Sequence, residues 1–206
     1  MQLHVTSLSK RIGSKLILDD ISFFHKGGVL GIAGPNGSGK STLLKCLSGL
    51  MRPSSGSIEW QQNGKRKEAS HIKPRLGYAA PYISHYAELT TRENLMFISN
   101  LRNLESAERK VDDLLEKTEI AHRAHVRFGS LSSGQQQRVR IASVLLHDPE
   151  ILFLDEPGTN LDETGHHIIK DIVDQAREQK KLVLLASNSS SEINLCDDAI
   201  HLSAKE

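Results

Sequence analysis

Gly34-Pro35-Asn36-Gly37-Ser38-Gly39-Lys40-Ser41-Thr42 decides how the rest of the chain is read. It fits G-x-x-x-x-G-K-[ST], the pattern of a loop that holds nucleotide phosphates. Gly28-Val29-Leu30-Gly31-Ile32-Ala33 before it reads as a short buried strand, and Ser41 to Leu50 after it as a helix. Strand, glycine loop, helix is the context this pattern needs. Gly34, Gly37 and Gly39 let the backbone wrap closely around phosphate oxygens. Successive amides and the helix N-terminus then face the anion, so Asn36, Gly37, Ser38, Gly39, Lys40, Ser41 and Thr42 are candidate ATP ligands. Lys40 has the reach for the β- and γ-phosphates, and the Ser41 hydroxyl for Mg²⁺.

Outward from this loop, apolar runs of strand length alternate with helical patterns. Leu3 to Leu8, Lys15 to Leu18 and Ile21 to Phe24 read as N-terminal strands, and Gly56 to Trp60 as another. Gln61 to Lys73 reads as a polar loop, with the basic stretch Lys65-Arg66-Lys67 in a solvated hairpin or loop. Further strands are expected at Arg75 to Ala80, Ile151 to Leu154, Leu182 to Ala186 and Ala199 to Leu202. Between about 88 and 146 the texture is helical: Leu95, Ile98 and Leu101 recur at helical spacing, as do Val111, Leu114 and Leu115. Thr90 followed by Glu93 is a cap for the first of these helices. Another helix is expected near Ile168 to Gln179. Buried runs alternating with helices argue an α/β core with parallel strands, and the helical insert makes a second lobe.

Two strings add chemistry. Ile151-Leu152-Phe153-Leu154-Asp155-Glu156 is an apolar strand ending in two carboxylates, and such a tip faces the crevice outside a parallel sheet. Asp155 is suited to hold Mg²⁺ and Glu156 to polarise the attacking water, the two roles a γ-phosphate hydrolase requires. Leu131-Ser132-Ser133-Gly134-Gln135-Gln136-Gln137-Arg138 precedes a helix that Ser132 or Ser133 can cap. Gly134 allows close backbone approach. The serine hydroxyls and the helix start make a second phosphate cradle. One nucleotide does not need two cradles in one chain. The economical reading is that Ser132, Ser133, Gly134 and Gln135 act in trans, on ATP held by another protomer.

On these three strings the chain resembles an ATP-binding-cassette (ABC) ATPase, the nucleotide-binding subunit of transporters, along nearly its full length. A weaker similarity is to the ATP-binding subunit of haem exporters. The resemblance implies a P-loop NTPase fold of the ABC-ATPase type in a single domain over 1–206: a parallel-sheet core, an N-terminal antiparallel β part and a helical subdomain at about 88–146. It implies ATP and Mg²⁺ as ligands, and Leu131 to Gln135 as the signature contacting the γ-phosphate of the other protomer. It also implies that Gly158 to Asp162 cross the interface of a head-to-tail homodimer or paired ABC subunit. Pro81 to Tyr86 lie where the family docks an integral membrane subunit.

Three positions depart from the family pattern. An aromatic that stacks on adenine is replaced by Ile12, which offers apolar contact alone. A glutamine after the strand ending near Ala80 is replaced by Pro81, which has no side-chain amide, and Tyr82 is not an evident substitute. A histidine after the late strand is replaced by Asn188, which can hold a γ-phosphate oxygen but cannot become imidazolium. With Glu156 retained, the expectation is a slow ATPase. The alternative is a soluble ATP-gated assembly module of the same fold that hydrolyses little.

Composition narrows the other classes. A net charge of +1 argues against nucleic acid as a partner. Cys46 and Cys196 have neither disulfide nor metal-ligand spacing. The adjacent His166 and His167 read as surface residues. The N-terminus lacks a signal pattern, and no run approaches the ~18 apolar residues of a membrane span. The expected place is the cytoplasm, at the inner face of the membrane through a partner.

Overall fold

The computed structural model describes residues 1–67 and 69–203, with backbone alone at 69 and 70. Its centre is a five-stranded parallel sheet in the order β6-β7-β8-β3-β9. These strands are β3 (Gly28–Ala33), β6 (Leu76–Ala79), β7 (Ile151–Asp155), β8 (Leu182–Ser187) and β9 (Asp198–His201). β7 and β8 are buried along their whole length, as continuous apolar runs covered on both faces must be. Side chains alternate across the pleat. Phe153 and Leu184 enter one core, with Leu43 and Leu44 of helix α1 (Lys40–Leu47). Leu152, Leu154, Val183 and Leu185 enter the other, with Ile169, Ile172 and Val173 of α6 (Glu163–Glu178). Phe153 is fully buried, stacked on Tyr78 at 5.7 Å between centroids. Burying a side chain of that size stabilises the fold by about 1.5–3 kcal/mol, and here it anchors the strand that carries Asp155.

An antiparallel sheet, ordered β2-β1-β4-β5, covers the α1 side. It comprises β1 (Gln2–Ile12), β2 (Lys15–His25), β4 (Ser55–Gln62) and β5 (Lys65–Lys67). The two strands expected at Lys15 to Leu18 and Ile21 to Phe24 are one. Asp20 takes a left-handed φ of 49° where the β1–β2 register shifts, a bulge that mimics a break in the sequence pattern. The stretch expected to be a polar loop contains β5, hairpinned to β4, and the short helix α2 (Ala69–Ile72). Lys65-Arg66-Lys67 thus form the hairpin and not the loop. Glu68 in that stretch lies outside the described residues.

The helices α3 (Thr91–Leu101), α4 (Ala107–Lys117) and α5 (Ser133–Leu145) form a separate core around Leu95, Val111, Leu115, Phe128 and Val139. Thr90 caps α3 as part of a full capping box with Glu93. The last helix is the short α7 (Ser190–Ile193), between β8 and β9.

Candidate active site

The strand order brings the tips of β3, β7 and β8 side by side, so residues far apart in the chain converge on the loop between β3 and α1. Gly39 is the N-cap of α1, with φ 98° and no side-chain cap, so the first amides of the helix are left for a ligand. A β-carbon at Gly39 would lie 2.8 Å from Leu18 Cδ2, so the loop needs glycine there for both conformation and space. Ser38 is buried, and its hydroxyl has no hydrogen-bond partner among the described residues. An orphaned polar atom inside a glycine loop is what a phosphate oxygen would satisfy.

Lys40 is folded back into the loop. Its Nζ donates to the Gly34 and Pro35 carbonyls at 2.8 and 3.2 Å and pairs with Glu156 Oε1 at 3.0 Å. Glu156 has a left-handed φ of 48°, a strained conformation of the kind functional sites retain. Its Oε2 accepts a long bond, 3.5 Å, from the Asn188 amide, and Asn188 Nδ2 donates to Asn36 Oδ1 at 2.9 Å. Lys40, Glu156, Asn188 and Asn36 thus ring the mouth of the loop. Behind them the Ser41 hydroxyl donates to Asp155 Oδ1 at 2.9 Å. Asp155 is almost wholly buried, which pushes its carboxyl above the usual range. The hydroxyls of Ser41 and Tyr82 oppose that shift and the neighbouring Glu156 adds to it.

Of the residues singled out in the sequence, the structure gathers Asn36, Ser38, Gly39, Lys40, Ser41, Asp155, Glu156 and Asn188 here. Gly37 turns the loop at φ 81°. Thr42 follows Ser41 on α1 and makes no side-chain hydrogen bond among the described residues. Ile12 sits half exposed at the end of β1, opposite Lys15. The aliphatic wall against the phosphate loop is Ile17, whose Cγ2 would lie 3.3 Å from a β-carbon at Gly39.

Ser132, Ser133, Gly134 and Gln135 stand apart, at the start of α5. Ser132 is the cap: its Oγ accepts from the Gln135 amide at 3.3 Å, and Gln135 Oε1 accepts from the Ser132 amide at 3.1 Å. Ser133 is the first helical residue and is exposed. Among the described residues no hydrogen bond or ion pair joins these four to the phosphate loop. They are tied instead to the segment after Glu156. A β-carbon at Gly134 would lie 2.6 Å from the Asn160 carbonyl oxygen. Gln137 Nε2 donates to the Pro157 carbonyl at 3.0 Å, and Arg138 Nη2 pairs with Asp162 Oδ1 at 2.7 Å.

Gln137 and Arg138 were passed over in the sequence, although a buried glutamine and arginine on an otherwise apolar helix face must have partners. Tyr82, which the sequence offers as no evident substitute for the glutamine replaced by Pro81, lies at the site: its hydroxyl donates to Asp155 Oδ2 at 3.2 Å. Burial is the main cause that pushes its phenol up to about 12. Tyrosine next to proline carries no sequence signal for a contact with a carboxylate on another strand.

A parallel sheet whose first crossover is a glycine loop around a buried lysine, beside a strand tip with two carboxylates, defines a P-loop nucleoside triphosphatase. The chain belongs to the ABC transporter family, whose profile matches residues 18–159, and is an ATP-binding, ATPase-type subunit of it. It is 33% identical over 196 residues to "ABC transporter ATP-binding protein NatA" of Bacillus subtilis (strain 168), covering 93% of this chain and 80% of that protein. It is likewise 33% identical over 195 residues to "Nod factor export ATP-binding protein I" of Burkholderia orbicola (strain AU 1054), covering 93% of this chain and 64% of that longer protein. A dimeric ATP-binding cassette in a post-hydrolysis state bound to ADP and Pi superposes with a TM-score of 0.85. It covers 99% of this chain and 97% of its own at 23% identity, a likeness of fold.

Proposed function

We propose that the chain binds ATP at the loop Asn36 to Thr42, hydrolyses it with Glu156 as the group that orients water, and powers a membrane transporter. The chain of contacts from Lys40 through Glu156 and Asn188 to Asn36 carries this reading, because it gathers these polar side chains beside a helix start with no side-chain cap. In it Lys40 releases Glu156 when it turns to the phosphates, so the base becomes available as substrate arrives. Asn188 has an amide donor in reach of the same oxygens. It supplies a hydrogen bond and no proton, which makes the reaction slow.

The Ser41 hydroxyl and Asp155 carboxylate, 2.9 Å apart, suit Mg²⁺, a hard ion that takes one or two protein oxygens and completes its shell with phosphates and water. When bound, it would neutralise charge on the β- and γ-phosphates. Ile12 and Ile17 offer the base an aliphatic surface.

In this reading Ser132, Ser133, Gly134 and Gln135 close over the ATP of a second subunit, in a head-to-tail homodimer or with a paired ABC subunit. The exposure of Ser132 and Ser133 at a helix start supports that role, and so does the dimeric cassette of the same fold. The relatives' names support transport. Among the described residues no helix is long and apolar enough to cross a membrane. An integral membrane subunit therefore provides the path in this proposal, with the chain at the inner face. The test is Glu156→Gln: ATP affinity is retained, turnover falls by roughly a hundredfold or more, and light scattering detects an ATP-loaded dimer. Unchanged hydrolysis would remove Glu156 from the role.

A further inference from the structure

The loop between β6 and α3 is held at both ends. On the core side Tyr82 makes three contacts. Its hydroxyl lies 3.2 Å from Asp155 Oδ2 and 2.8 Å from the Tyr78 hydroxyl, and Lys45 Nζ of α1 sits 4.0 Å from the centre of its ring. A carboxylate accepts only, and Asp155 Oδ2 lies 3.2 Å from the Tyr82 hydroxyl and 3.5 Å from that of Tyr78. Each phenol has one proton, so with Tyr82 making the shorter bond to Asp155, Tyr78 donates to Tyr82. Tyr78 is a fixed post, stacked on Phe153 with 18° between the ring planes. On the other side the loop is tied to the helical lobe. Arg140 Nε of α5 donates to the Ile83 carbonyl at 2.6 Å, and Asn94 of α3 both accepts from the Tyr86 amide at 2.8 Å and donates to its carbonyl at 3.0 Å.

We infer that Tyr82 is a positioning residue of the hydrolytic site: its phenol holds Asp155 by one oxygen, leaves the other to the Ser41 side, and ties that carboxylate to the lobe that carries Ser132 and Ser133. The inference rests on the reading of Ser41 and Asp155 as the Mg²⁺ pair. A half-exposed phenol has no packing reason to reach a buried carboxylate, and water could have satisfied it. The bond to a charged acceptor is the stronger choice, and it orients the acceptor as well. Because Arg140 anchors the next residue, a shift of Asp155 is felt one residue away at α5.

The test uses Mn²⁺ as the probe, followed by electron paramagnetic resonance on the full chain with a non-hydrolysable ATP analogue. Analogue affinity is measured separately in EDTA. Tyr82→Phe is expected to weaken Mn²⁺ binding about tenfold, the loss of one part-buried bond to a charged group, with metal-free analogue affinity unchanged. Tyr78→Phe is expected to weaken it less, because the direct bond to Asp155 survives. Amide exchange in residues 82–89 should slow on adding Mn²⁺ and analogue to the parent, and not in Tyr82→Phe. Parent-like Mn²⁺ affinity in Tyr82→Phe overturns the inference. Asp155→Asn separates the two readings. If it abolishes Mn²⁺ binding while Tyr82→Phe does nothing, only the role of Tyr82 fails. If it leaves Mn²⁺ binding intact, the metal pair itself is wrong.

Discussion

The helix starts at Gly39 and at Ser132 are alike in composition and opposite in state. Both follow a short turn rich in glycine or serine, and both present the positive end of a helix. At Gly39 no side chain caps the helix, the Ser38 hydroxyl is unsatisfied, and the flanking lysine is bent onto Glu156. At Ser132 the cap is complete, with side chains of Ser132 and Gln135 serving each other's amides. The first start keeps donors without side-chain partners among the described residues. The second is a finished helix end, held against the segment 157–162 by Gln137 and Arg138. The capping box serves the amides of Ser132 and Gln135 and leaves those of Ser133 and Gly134 for an outside acceptor. That suits a contact made late, from another subunit, and not the first capture of a nucleotide.

The largest effect is expected at the open start. Lys40→Ala should weaken ATP binding about a hundredfold, since a charge-assisted contact is lost where the other ligands are neutral amides. Titration of the purified chain measures it, and parent affinity would remove Lys40 from the site. At the closed start Ser133→Arg should leave the isolated subunit's ATP affinity unchanged and abolish steady-state hydrolysis. Loss of affinity in the isolated subunit would mean that the two starts serve one nucleotide in cis.

Asn188→His should raise turnover at saturating Mg-ATP by about tenfold, short of the roughly hundredfold that a full transition-state donor contributes. A lowered rate would show that the bond from Asn188 to Asn36 matters more than a titratable ring. The smallest effect is expected from Ser132→Ala. Loss of a cap costs about 1 kcal/mol, about 2–4 °C in a chain of this size. ATP affinity at the open start should not change. The Ser38 hydroxyl has no partner among the described residues, so an equal melting loss from Ser38→Ala, judged without nucleotide, would erase the difference between the two starts.

Much of the site was legible because it is contiguous. Asn36 to Thr42 is one turn and one helix start, and Asp155 with Glu156 is one strand tip. Backbone conformation and neighbouring side chains do the chemistry there, and both are written in consecutive residues. The capping of α3 by Thr90 was legible for the same reason, and that of α5 down to Ser132 or Ser133, of which the structure uses Ser132. The merged strand β2 was missed because a bulge at Asp20 interrupts the alternation without ending the pairing. The hairpin at β5 could not be told from a loop because an exposed, charged strand has no apolar face to betray it.

The sequence by itself determined the phosphate loop, the pair of carboxylates, and the helix start that carries Ser132 and Ser133. Only the tertiary structure decided who meets whom. Asn36 and Asn188 are 152 residues apart and Tyr82 and Asp155 are 73 apart. Both pairs form because the strand order sets β7 between β6 and β8, and β8 beside β3. That order follows from how two apolar faces of one sheet are covered by α1 on one side and α6 on the other. It is a balance of burial summed over the whole chain, and no local stretch of residues contains it.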